Sequence, residues 1–186
     1  MANLNNPRGL QPITSPGGNV PAHWYVVNAS VATAIYIGDP VDREAAGTVT
    51  LATAGAGNPV LGAVIGAKDA DGVPVGYVPA TPGAGYQVLV SDAIEQEYIV
   101  QEDNVGSDIA FADEGINVDL VAGTGSTVSY ISGWQLDSSS VAASASLQMR
   151  LIKRADAVEN AEGTDADWIC KINYHRMTPG IVGAGV

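Results

Sequence analysis

Trp168-Ile169-Cys170-Lys171-Ile172-Asn173-Tyr174-His175 alternates without interruption. Trp168, Cys170, Ile172 and Tyr174 share one face; Ile169, Lys171, Asn173 and His175 share the other. A period of two is that of a strand with one face in a core. Ala145-Ser146-Leu147-Gln148-Met149-Arg150-Leu151 repeats it upstream. The link between them, 154–167, is acidic, carries Gly163 and reads as an exposed loop.

Further out, Val49 and Leu51 alternate with threonines across 47–53. Residues 60–67 are mostly apolar, which fits an inner strand buried on both faces. Strand-type runs also occur at 23–27, 34–37, 73–78, 86–90, 94–101, 116–120, 128–131 and 133–136. Asp69-Ala70-Asp71-Gly72 reads as a hairpin turn, and Asp137-Ser138-Ser139-Ser140 as a break. Residues 105–114 are the best place for a short helical turn. Roughly ten short strands with frequent turns predict a mainly β fold, an antiparallel sandwich or barrel, with a jelly roll among the options. No run keeps helical periodicity over three turns, so parallel βαβ architecture is not expected.

Residues 1–22 differ in kind. Pro7, Pro12, Pro16 and Pro21 exclude helix and inner strand. The segment reads as an extended arm with Leu10 and Ile13 as apolar pegs. A single β domain is expected over 23–177, then an apolar tail over 178–186. Ile181 and Val182 of that tail would gain from packing on their own domain or on a neighbour. Trp134, between Gly133 and the serine run, is the tryptophan best placed for an interface. With Arg8, Leu10 and Ile13 these form the candidate contact set.

The net charge of −12 disfavours direct binding to nucleic acid or to an anionic membrane. Nine acidic residues and no Lys or Arg lie between Asp92 and Asp119, whereas five of the eight basic residues fall in the last 37 positions. That asymmetry suits solvated surface, or complementarity between copies or with a charged partner. Cys170 is the only cysteine, so no intrachain disulfide framework is possible. The opening residues lack a basic region followed by an apolar run, so no secretion signal is expected.

Reactive chemistry is sparse. His23 and His175 lack partners at metal-ligand spacing, and no metal or cofactor is expected. Cys170 reads as a small buried hydrophobe. A calcium loop starting at Asp69 would need Glu at position 80, which is Ala. Glu95 and Glu97 share a strand face near Glu102 and Asp103, the one place where paired carboxylates would suit glycoside hydrolysis. The glycine-rich turns match neither the dinucleotide fingerprint nor the phosphate loop. The expectation is therefore a protein that works by contact and not an enzyme.

Several pieces, in order, resemble the decoration or cement proteins of tailed-bacteriophage capsids. They are Met1-Ala2-Asn3 with Pro7, Gly9, Leu10 and Pro12; Ile37-Gly38-Asp39-Pro40-Val41; 49–55 with Asn58-Pro59-Val60-Leu61-Gly62; 101–103; 117–127; Ser132-Gly133-Trp134 with Leu136-Asp137-Ser138-Ser139; and Trp168 with Lys171-Ile172-Asn173 and His175. The likeness runs end to end, carried by order and spacing and by no single diagnostic motif. The resemblance implies a structural virion protein, made in the host cytoplasm. It would bind the outer surface of an assembled shell and stabilise it by bridging neighbouring major capsid protein subunits. A homo-oligomer, dimer or trimer, is the further expectation, with the proline-rich residues 1–22 as a clamp across a neighbour, because proline has little freedom to lose on ordering. The alternative is a carbohydrate-binding or adhesive β-sandwich on the virion surface, which predicts exposed aromatics along a groove.

Overall fold

The alternating segments pair as expected in the computed structural model, which describes residues 3–13 and 20–178. In chain order the strands are β1 (Gln11–Pro12), β2 (His23–Val26), β3 (Ile35–Tyr36), β4 (Pro40–Arg43), β5 (Val49–Leu51), β6 (Gly62–Lys68) and β7 (Pro74–Val75). They continue with β8 (Tyr77–Val78), β9 (Gln87–Ser91), β10 (Glu97–Gln101), β11 (Asn117–Val121), β12 (Gln135–Ala142), β13 (Met149–Arg154) and β14 (Asp167–Ile172). A 3-10 turn, Phe111–Asp113, lies inside the 105–114 segment.

Two antiparallel sheets organise the molecule. The first runs β1-β10-β14-β13-β11-β12; the second runs β2-β9-β6-β4-β5, with β7 added to β6. A parallel bridge from Val27 to Val49 draws together the outer strands of the second sheet, so it curls around its own core. β3 and β8 form a separate small ribbon. Each large sheet has its own apolar interior. Tyr98, Leu120, Trp134, Met149, Leu151 and Trp168 belong to the first, and Val41, Val49, Leu61, Val64, Val88 and Val90 to the second. Leu51 packs against both. A sheet that alternates must bury one face, and here each finds cover without a helix layer.

Four expectations change. Strand β13 starts at Met149, because Ala145 to Gln148 form turns. The apparent alternation there comes from Leu147 and Gln148, both buried, but Gln148 leaves the ladder to bridge the two sheets with its side chain. The serine run does not end a strand but lies inside β12. Asn117 pairs with Ala142 and Asp119 with Asp137, so the extra residues bulge out between them. Ser140 Oγ accepts the Asp119 N–H at 2.8 Å in place of a ladder carbonyl. Residues 128–131 form a loop, not a strand, for reasons given below.

The fourth concerns the arm. Its described part, 3–13, lies on its own domain. β1 pairs with β10 through Gln11–Ile99 and Pro12–Tyr98, and the Ile13 N–H donates to Glu97 O at 2.9 Å. Pro12 is tolerated because β1 is an edge strand. Leu10 is fully buried in the first core, and its N–H donates to Gly38 O at 2.8 Å. Gly9 and Gly38 both have positive φ, and a Cβ on Gly9 would meet Gly38 O at 2.3 Å. The approach therefore needs glycine on both sides. Side chains add further stitches: Gln101 Nε2 donates to Leu4 O at 2.9 Å, and the Asn6 N–H donates to Gln101 Oε1 at 2.9 Å.

Candidate contact surface

The contact residues expected from sequence separate into three groups. Arg8 and Ile13 are partly exposed. Arg8 holds Asp167 at 2.6 Å, and Ile13 shares a shallow trough of about 530 Å³ with Ile99 and Ile169. Leu10 and Trp134 are corrected: both are core residues, Trp134 being 2% exposed, because each fills the interior of the first sheet. Ile181 and Val182 lie outside the described residues.

The surface offers better candidates. Val128 is 88% exposed, at the tip of a loop that is nonetheless well built. The Ser126 N–H donates to Ile131 O at 2.9 Å and the Tyr130 N–H to Ser126 O at 2.8 Å. Ser126 Oγ accepts the Val128 and Ser129 N–H groups at 3.2 and 3.1 Å. Those bonds hold the segment in a turn and keep it from pairing as a strand. At its base Ile131 bridges to Ile37, with the Ile37 N–H donating to Tyr130 O at 3.0 Å. Tyr130 adopts φ of 62°, a costly conformation for an aromatic residue. Its ring completes a stack: Tyr36 and Tyr77 lie 5.3 Å apart, and Tyr77 and Tyr130 5.6 Å apart, with the ring planes nearly parallel. Gly125 and Gly76 admit the outer rings, since a Cβ at either would come within 2.5 Å of ring carbons.

A second group of exposed apolar side chains surrounds the 154–167 loop: Leu4, Phe111 and Val158. Three segments are laced together there. Asn3 Nδ2 donates to the carbonyls of Ala161, Gly163 and Thr164, the Phe111 N–H to Glu162 Oε1, and Thr164 Oγ1 to Asp108 Oδ1. Asp108, Asp156, Glu159 and Glu162 make this region acidic as well as apolar.

Among the described residues the exposed aromatics Trp24, Phe111 and Tyr130 lie on separate elements. The three stacked tyrosines spend faces on one another. Trp24 is half exposed on the edge strand β2, and Lys68 Nζ sits 4.3 Å above its ring.

The titratable groups are mostly tied into structure. Asp92 is buried and accepts from Tyr25 Oη at 2.5 Å, with His23 Nδ1 at 2.9 Å. Burial first, and Asp92 second, push the Tyr25 phenol up to about 12. Glu95 is exposed, 3.3 Å from Lys171 Nζ, and Glu97 faces Lys171 across the ladder, so the proposed acid pair brackets a cation on the outside of the first sheet. Glu102 is fully buried; Oε2 accepts the Ile109 N–H at 2.8 Å, while Oε1 lacks a partner. Desolvation raises its carboxyl to about 7, against the pull of the Ile109 and Ala166 N–H groups. Burial lowers His175 and raises Cys170. Among the described residues no group of three or more His, Cys, Asp or Glu is placed to hold a metal.

Between the two sheets opens a cleft of about 480 Å³, walled by Ala32, Ala80, Ala122 and Gly123, with Tyr36, Trp134 and Asp39 deeper in. Asp39 is 2% exposed. Its Oδ2 accepts the Tyr36 N–H at 2.8 Å. Oδ1 has no hydrogen-bond partner, although the Ser132 hydroxyl lies near enough to favour the charged form. Burial raises this carboxyl to about 6.

Sequence reasoning missed Gln148. It is fully buried and joins the sheets. Nε2 donates to Thr53 O and Asn58 O, and Oε1 accepts the Gly55 and Leu120 N–H groups. Only its place between Leu147 and Met149, in a run that should have exposed it, hinted at this. Compared with protein families, with curated proteins and with solved structures, the chain matches none.

Proposed function

We propose that the protein is a structural component of a virion, a capsid decoration protein that reinforces an assembled shell by binding across neighbouring subunits of the major capsid protein. One structural observation carries this reading: the loop 126–131 presents Val128 to solvent on a frame of hydrogen bonds and stacked rings. A loop ordered in advance loses little entropy on docking, so an exposed apolar tip on a rigid base suits adhesion. The end-to-end resemblance supplies the partner. Repetition of a modest contact over a lattice supplies strength, since each engaged subunit raises the effective concentration of the next.

The N-terminal segment has a different part in this scheme from the one expected. Residues 3–13 pair with their own domain, while residues 14–19 of the expected clamp lie outside the described residues. Co-sedimentation of purified protein with undecorated particles tests the proposal. Binding is expected for the native chain, and Val128→Asp is expected to weaken it about tenfold while changing stability by less than about 0.5 kcal/mol. Native protein that stays in the supernatant would refute it.

A further inference from the structure

The cleft between the sheets is open because small residues wall it, not because a large side chain has moved aside. Among the described residues Asp39 is its one charged lining residue. No Lys or Arg contributes to its electrostatic environment among the described residues. A buried carboxylate with one satisfied oxygen and no counter-ion is costly to keep. The surrounding chain carries a charge of −12, which draws cations in from a distance.

We propose that this cleft receives a lysine or arginine side chain from a partner polypeptide, its methylene stem against the Ala and Gly walls and its cationic head toward Asp39. Long basic side chains bury their stems readily while the head keeps a polar partner. The wall formed by 122–125 leads straight into the pinned loop 126–131, so the slot and the apolar tip lie on one continuous, pre-formed segment. Only the identity of the partner, the major capsid protein, rests on the function proposed above; the slot itself does not.

The test uses the full chain, isotope-labelled, titrated with N-acetyl-arginine amide and N-acetyl-lysine amide and followed by NMR. Saturable shifts are expected at the Trp134 indole N–H and at the Gly123 and Gly125 amides. N-acetyl-citrulline amide, the neutral analogue of the arginine probe, should bind about tenfold more weakly or worse. Asp39→Asn can keep the bond to the Tyr36 N–H while removing the charge, and should weaken both basic probes by about the same factor. Ala32→Phe narrows the mouth from an exposed position away from the Asp39 hydrogen bond, and should do likewise. Absence of saturable shifts, equal binding of citrulline, or unchanged binding by a folded Asp39→Asn protein would overturn the slot. Probe binding by a protein that does not attach to particles would keep the slot and reject the capsid as its occupant.

Discussion

Gln148, Glu102 and Tyr130 show how single residues set the terms of this structure. Gln148 satisfies two carbonyls and one N–H group of the 53–58 loop of the second sheet and the Leu120 N–H of β11 in the first. Replacing it with Leu leaves those groups buried without partners, so Gln148→Leu should cost at least about 3 kcal/mol in urea denaturation. Tyr130 holds φ of 62° because its ring is stacked on Tyr77. The stack offsets strain of similar size, about 1 kcal/mol on each side. Glu102 governs pH dependence. Its folded pKa of about 7 lies above its ordinary value of 4.5, so between those values the fold holds a proton that the unfolded chain has lost. Asp39, raised from 3.8 to about 6, acts in the same sense. Together these two carboxyls should raise stability by about 1 kcal/mol from pH 8 to pH 6.5. His175, whose pKa is lowered from 6.5, opposes the trend already within this window, because the unfolded chain takes up a proton near pH 6.5 that the fold resists, so the net rise is about 0.5 kcal/mol. Urea midpoints at the two pH values check this, and Glu102→Gln should flatten most of the difference. A midpoint that falls between pH 8 and pH 6.5 would contradict it.

At the scale of elements, β1 is the informative case. It is two residues long, yet it covers the edge of β10 and carries Leu10 into the core. Leu10→Ala should cost about 2–5 kcal/mol, and removal of residues 2–13 should lower Tm in a thermal melt instead of leaving the domain intact. The alternating elements could be read from sequence because period-two burial is local: Trp168, Cys170 and Ile172 of β14 face inward as their spacing requires. The inner position of β6 was legible from its apolar run, and so was the hairpin at Asp69, where Oδ1 accepts the Asp71 and Val73 N–H groups. What escaped depends on distant partners. Leu10 looks like a peg on a loose arm until Gly38 is brought against it. The serine run looks like a break until Asp103 receives Ser138 Oγ at 2.7 Å and Ser140 meets β11. The cleft around Asp39 is assembled from residues between 32 and 39, Leu51, Ala80, 122–125 and Trp134, and no local pattern marks such a convergence.

Two sheets with separate cores, joined by Leu51 and Gln148, make a body whose rigidity comes from strand pairing and loop bonding together. Its most exposed described apolar groups include Val128 on an anchored loop, and its net charge is strongly negative. Such a body suits adhesion to a repeating lattice that offers basic side chains. The most direct measurement is a cryo-electron reconstruction of the intact particle at a resolution that shows strands. The account predicts a two-sheet density on the outer shell, spanning a joint between major capsid subunits with loop 126–131 against the shell. A fully occupied shell with no such density would contradict it.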